Sequence, residues 1–228
     1  QLLDEYVPII KGSALNEDPL FPLTTASKKL VAEKGDDTPI TWWHRSERYA
    51  EKLATPDVNI ADLVGDIDPI KAANLKLSLS DEEVINYGII PRSNRGIFVI
   101  NELPDLQPRI QVALFNLLQE GDLQIRGYKV RIPMDVQFVF TSNPEDYTNR
   151  GSIITPLKDR IQSQIYTHYP TSNLIGRTIT KQEVKRQKGQ EHIVVPEVIE
   201  KLIEQVAIEA RGSEFIDAKS GVSARLPI

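Results

Sequence analysis

Gly96-Ile97-Phe98-Val99-Ile100-Asn101-Glu102-Leu103-Pro104-Asp105-Leu106 is the stretch on which the fold turns. Ile97 to Ile100 is an unbroken run of β-branched and aromatic residues, where a strand wetted on one face would alternate apolar and polar. Such a run reads as a strand covered on both faces, the arrangement of parallel sheets. Asn101 and Glu102 end it. A helix is expected after Pro104 and Asp105. Pro108 lies near its first turn, Gly121 just past its end, and Ile110, Ala113, Leu114 and Leu117 share one face. Val136-Gln137-Phe138-Val139-Phe140 reads as the next strand and runs into Thr141-Ser142-Asn143-Pro144. Two strands separated by a helix, each ending in polar residues, indicate an α/β layered sheet. Between the helix and the second strand, Leu123, Ile125, Val130 and Ile132 alternate around Arg126-Gly127-Tyr128, which reads as a β-hairpin.

The pattern weakens away from this centre. Leu2 to Tyr6 reads as the tail of a helix, and Val7-Pro8-Ile9-Ile10 as a short strand stopped by Lys11-Gly12-Ser13. Residues 16–57 are rich in Pro, Thr, Asp and Lys, hold Trp42 and Trp43, and are expected to form an insertion outside the core. A helix is expected near Ile70 to Leu77. Downstream, Gln164 to His168 reads as one more strand. Past Pro170 the character turns helical, and the clearest helix runs from Pro196 to Arg211 with Gly212 after it. Its apolar stripe is Val195, Val198, Ile199, Leu202, Ile203, Val206 and Ala210, with Glu197, Glu200, Lys201 and Glu204 outside. These features divide the chain into an α/β core over 1–170 and a helical region over 171–228.

Composition bounds the function. The 228 residues carry a formal net charge of -5, which argues against a general nucleic-acid coat. There is no cysteine, so disulfides and thiolate metal sites are excluded. His44, His168 and His192 lie far apart, without the spacing of a metal motif. No apolar run approaches the ~18 residues of a membrane span, and no signal peptide is present, so a cytoplasmic location is expected. The first residue is Gln1 and the single methionine is Met134, so the sequence is read as an internal fragment.

In an open parallel sheet, ligands bind at the carboxyl ends of the strands. One strand delivers Asn101 and Glu102 there and the other delivers Asn143. A carboxylate so placed can orient or deprotonate an attacking water, and an amide beside it can hold that water or a phosphate oxygen. The pairing suits phosphoryl transfer to water, in which positioning and charge stabilisation dominate. The same residues also serve as strand and turn caps, and spacing alone leaves both readings open.

The stretch from Gly96 to Leu106 also resembles the Walker B strand of AAA+ ATPases, in particular the branch of the magnesium-chelatase ATPase subunit and the MoxR-type ATPases. Other blocks agree in order. Asn94-Arg95-Gly96 precedes the strand, and Leu63-Val64-Gly65-Asp66-Ile67-Asp68 resembles the opening of a helix-2 insert. Thr141-Ser142-Asn143-Pro144-Glu145 resembles sensor 1, Pro156-Leu157-Lys158-Asp159-Arg160 the arginine-finger segment, and Gly221-Val222-Ser223-Ala224-Arg225 the sensor-2 start of a lid helix. The resemblance implies a partial P-loop NTPase (AAA+) core with a parallel sheet and a β-hairpin insertion, followed by a partial helical lid.

Roles follow residue by residue. Glu102 would activate water, and Asn143 would sense the γ-phosphate. Arg160 would act in trans on the nucleotide of a neighbouring subunit, with Arg150 as a rival on the same edge. Arg225 would contact nucleotide from the lid. Asn101 and Glu102 would hold magnesium through water. The implied cofactors are ATP and Mg2+, and the implied partners are neighbouring subunits of a homo-oligomeric ring and a client protein.

Two features depart from the family pattern. Asn101 replaces the usual aspartate and gives up a charge that supports the ion. No G-x-x-x-x-G-K-S/T occurs anywhere, nor any Gly-Lys pair, and the missing phosphate loop is expected just upstream of Gln1. The leading reading is a ring-forming ATPase that remodels a partner protein or supports metal insertion. The alternative is a non-hydrolysing regulatory or scaffold module. A DNA-linked AAA+ transcriptional activator ranks last, for want of a helix-turn-helix pattern and a strong basic patch.

Overall fold

A computed structural model of the chain describes residues 2–78, 81–125, 131–143, 151–184, 192–216, 222–223 and 227. The chain divides into two compact units, Gln1–Gln162 and Ser163–Ile228.

The first unit opens with β1 (Tyr6–Ile10), α1 (Thr25–Lys34), β2 (Ile40–His44) and β3 (Tyr49–Leu53). There follow α2 (Ile60–Leu63), β4 (Gly65–Ile67), α3 (Pro69–Leu75), β5 (Ile85–Tyr87) and α4 (Ile89–Arg92). Next come β6 (Gly96–Asn101), α5 (Pro108–Glu120), β7 (Asp122–Gln124), β8 (Arg131–Pro133), β9 (Val136–Phe140) and α6 (Thr155–Lys158). β3, β6 and β9 form a three-stranded sheet in that order, and both pairings are parallel. β6 is central, which is why its side chains are apolar on both faces: Phe98 and Ile100 on one are 0% and 1% exposed, and Val99 on the other is 8% exposed. Phe98 meets Phe138 of β9 edge-to-face at 6.1 Å between ring centroids, the geometry aromatic quadrupoles favour. Antiparallel pairs β1–β2, β4–β5 and β7–β8 surround this sheet.

The start of β6 is fixed from three sides. Asn94 is buried. Its amide donates to the Leu15 carbonyl at 2.9 Å and accepts from the Asp135 N–H at 2.9 Å. Arg95 donates to the Pro8 carbonyl at 2.7 Å and pairs with Asp18 at 3.1 Å. A Cβ on Gly96 would meet the Arg48 carbonyl oxygen at 2.5 Å, so no larger residue fits without moving β3 away from β6. The block Asn94-Arg95-Gly96 is therefore the joint that sets the sheet register.

α5 follows the sequence expectation. Pro108 is its first residue, Gly121 ends it in a left-handed conformation at φ 67°, and Ile110, Leu114 and Leu117 are buried. The hairpin is present as β7 and β8, with Leu123 opposite Ile132, and its turn at 126–130 lies outside the described residues.

Three expectations are corrected in this unit and at its border. Leu2 to Glu5 are not helical, and Tyr6 already belongs to β1. The stretch 16–57 is not an insertion outside the core. It supplies β3 and the buried residues Glu17, Arg48 and Ala54. Residues 164–168 form no strand: Ile165 is 89% and Tyr166 80% exposed, so no sheet neighbour covers them.

The second unit packs α7 (Asn173–Glu183) on α8 (Glu197–Arg211). The contact runs along charged and small residues. Lys181 pairs with Glu200 at 2.8 Å and Arg177 with Glu197 at 3.4 Å. The Glu204 side chain lies against Gly176, where any Cβ would strike its carboxylate. Arg211 pairs with Glu204 at 3.6 Å and stacks on the Tyr169 ring at 4.6 Å. The expected apolar stripe of α8 is thus not its buried face. Val198, Leu202 and Val206 are exposed, while Glu204 and Ala207 are buried, because Gly176 and Ala207 allow a close approach on the other side.

Candidate functional site

The site is built where the central strand ends. Asn101 closes β6, and the next residue leaves the strand abruptly: Glu102 has φ 57° and ψ 49°, the left-handed region. A residue with a Cβ pays roughly 1–2 kcal/mol there, a conformation that Asn16, Lys76 and Arg95 also adopt. The turn Leu103–Asp105 follows, with Leu103 and Pro104 buried beneath it. The glutamate is therefore raised on a fixed, strained corner above two apolar anchors.

Thr141, the first residue past β9, locks that corner. Its N–H donates to the Ile100 carbonyl at 3.0 Å, and its carbonyl accepts from the Leu103 N–H at 3.0 Å. Its hydroxyl accepts from the Glu102 N–H and donates to Asn101 Oδ1, each at 3.2 Å. From the other neighbouring strand, the Ala54 N–H donates to the Asn101 carbonyl at 2.8 Å. Three strand ends so fix the backbone of Asn101 and Glu102. Among the described residues the Glu102 carboxylate takes no hydrogen bond or ion pair, and it is half-exposed. It is positioned by its backbone and left open at its tip, as a group that meets a water must be.

Asn143 is exposed two residues beyond Thr141, on the same edge. Arg160 belongs to another segment. It lies two residues past α6, is exposed, and holds its guanidinium over the Phe115 ring of α5 at 5.8 Å from the centroid. Arg150 and Arg225 lie outside the described residues. The structure thus brings Asn101, Glu102 and the Asn143 segment to one strand edge, and seats Arg160 on Phe115 of α5.

Two residues escaped the sequence reading. Thr141 was legible as part of a polar strand end, but its bridging role needs the register of β6 against β9. Gln111 left a clearer signal, a polar residue one position after Ile110 on the buried face of α5. It is 1% exposed, and its amide bonds to segments on both sides of it.

The residues fit magnesium held through water. An amide oxygen, a hydroxyl and one carboxylate cannot form an all-protein cage, but magnesium keeps several waters and commonly takes one or two protein oxygens beside substrate phosphates. Among the described residues no three His, Cys, Asp or Glu side chains cluster as a metal site, and no helix is long and apolar enough to cross a membrane.

Residues 79–165 match the family model of the Sigma-54 interaction domain. That window contains Asn101, Glu102, Thr141, Asn143 and Arg160. Over 124 residues, 54% of this chain and 22% of the relative, the sequence is 28% identical to the hydrogenase transcriptional regulatory protein HoxA of Cupriavidus necator. Over 156 residues, 66% of this chain and 45% of the relative, it is 26% identical to the magnesium-chelatase 38 kDa subunit of Cereibacter sphaeroides. The chain spans less than half the length of either. Among solved structures, the complex between subunits BchI and BchD of magnesium chelatase aligns at a TM-score of 0.46 and 19% identity, covering 77% of this chain and 52% of that one. With its parallel sheet and flanking helices, the fold is of the AAA+ P-loop NTPase type.

Proposed function

We propose that this chain supplies the hydrolytic edge of an ATPase that works as a homo-oligomeric ring. The observation that carries the reading is Glu102. It sits in a left-handed corner at the carboxyl end of the central parallel strand, its N–H held by Thr141, its carboxylate open. Glu102 orients a water and takes its proton as the water oxygen attacks the terminal phosphorus of ATP, whose bond to the bridging oxygen breaks to release ADP and phosphate. Asn143 holds the water or a phosphate oxygen from the neighbouring strand end. Asn101, its side chain oriented by the Thr141 hydroxyl, offers an oxygen to a water of the magnesium shell. Bound Mg2+ supplies neutralisation of the charge that develops on the phosphates. Arg160, exposed beyond α6, serves the nucleotide of the adjacent subunit, and Arg150 and Arg225 remain candidates for nucleotide contact. The work done is remodelling of a client protein or support of metal insertion, in line with the similarity to a magnesium-chelatase subunit.

A second reading is a regulatory or scaffold module that does not hydrolyse ATP. Asn101 favours it, since a neutral amide stands where the family places a carboxylate. The similarity to a transcriptional regulatory protein moves a DNA-linked regulator up beside it, from last place on the sequence alone.

The test is Arg160→Ala in the full-length protein. Turnover should fall on the order of a thousandfold with nucleotide affinity nearly unchanged. Unchanged turnover would sink the trans assignment of Arg160 and pass it to Arg150.

A further inference from the structure

We infer that Gln111 is a positioning residue that couples the loop behind Glu102 to the segment carrying Arg160, an inference that rests on the ATPase reading above. Gln111 is 1% exposed, and its amide is used on both sides. Nε2 donates to the Leu106 carbonyl at 3.0 Å and to the Ser152 carbonyl at 3.1 Å. Oε1 accepts from the Ile154 N–H at 2.9 Å. Leu106 ends the turn that Glu102 begins, and Ile154 is the residue on which α6 starts. No side chain caps α6 at Ile154, so the Gln111 oxygen is what fixes that backbone at the helix entry.

Two further contacts bind the same two segments. Gly151 adopts φ 145°, and a Cβ there would meet the Pro104 carbonyl oxygen at 2.5 Å, so the chain leading into α6 lies directly on the Glu102 turn at Gly151. Leu157 of α6 is fully buried in the same core as Leu103, Leu106, Ile110 and Leu114. Phe115, one turn beyond Gln111 on α5, carries the Arg160 guanidinium. The turn after Glu102, helix α5 and the path from Gly151 to Arg160 therefore share one buried amide. Removing it takes the amide partner from the Leu106 and Ser152 carbonyls and the Ile154 N–H, and the Leu106 carbonyl, which is buried, needs one. A displacement near 1 Å at α6 is carried to Arg160, and errors of that size cost on the order of a hundredfold in rate.

The experiment is Gln111→Met in the full-length protein, alone and in rings mixed with Glu102→Gln subunits, with Arg160→Ala mixed the same way for comparison. The expected result is kcat lowered on the order of tenfold to a hundredfold, with KM for ATP unchanged and turnover regained on mixing. The Gln111→Met subunit keeps an intact Glu102, and the Glu102→Gln subunit lends it a well-placed Arg160. A merely structural defect does not complement in this way. Wild-type turnover in Gln111→Met overturns the inference. So does failure to complement where Arg160→Ala does. If Gln111→Met no longer binds nucleotide, Gln111→Asn replaces it, since it keeps a neutral amide and withdraws it by one methylene from the Leu106, Ser152 and Ile154 backbone groups. It should show the same loss and the same recovery, and a failure there also overturns the inference. Absence of turnover in the wild type, or of recovery in the Arg160→Ala mixture, instead overturns the ATPase ring itself.

Discussion

The Thr141 hydroxyl lies 3.2 Å from Asn101 Oδ1 and 3.2 Å from the Glu102 N–H, donating to the first and accepting from the second. One side chain from the second strand thus orients both polar residues at the end of the first. Thr141→Val keeps the shape and removes the oxygen. It leaves the Glu102 N–H without its acceptor, at a cost of about 1 kcal/mol in stability. Turnover should drop on the order of tenfold while KM for ATP stays within error. A variant as active as wild type would show that the glutamate corner holds without this bridge.

Glu102 itself trades stability for placement. Glycine is free to adopt its φ of 57°, whereas a glutamate pays roughly 1–2 kcal/mol. Part of that gain is offset by the greater freedom of glycine in the unfolded chain. Glu102→Gly should therefore raise thermal stability by roughly 0.5–1 kcal/mol and abolish hydrolysis. Melting curves and turnover on the same preparation decide this, and a destabilised variant would mean that the corner is not strained.

How much of this was legible beforehand depends on whether a signal was local. The central strand showed itself through four apolar residues in a row, and α5 through Pro108, Gly121 and its buried face. β3 was invisible because Tyr49-Ala50-Glu51-Lys52-Leu53, which among the described residues has one strand neighbour, β6, mixes charges with apolar residues, as an edge strand does. The α8 stripe misled because periodicity reports an apolar face without naming its partner, and here Gly176 and the Glu204–Arg211 pair put the contact on the opposite side. Asn101 and Glu102 could be placed at one edge from strand ends alone. Thr141 and Gln111 became meaningful only once residues 40 or so positions away stood beside them.

A pH dependence follows from Glu17, which is 1% exposed in the loop before α1. Burial pushes its carboxyl upward, but the Thr24 and Leu23 N–H groups and the Ser27 and Thr24 hydroxyls together outweigh that and hold it below the usual range. A lowered folded value means that its contribution is complete above the unfolded pKa of about 4.3. It is lost as the pH falls through the lower folded value. Glu17→Gln should cost about 2 kcal/mol near neutral pH, since it weakens bonds to a charged acceptor. It should also flatten the loss of stability on acidification below about pH 4.3. Thermal midpoints of both proteins across that window test this, and parallel curves would assign the acid sensitivity to another group.

The most direct test of the central claim is ATP turnover by the full-length protein beside its Glu102→Gln variant, with nucleotide affinity measured on both. The account predicts hydrolysis by the wild type and a loss of on the order of a hundredfold or more in the variant, with binding retained. Equal turnover in the two would contradict the role of Glu102. No turnover in either would contradict the ATPase reading and leave the regulatory module in its place.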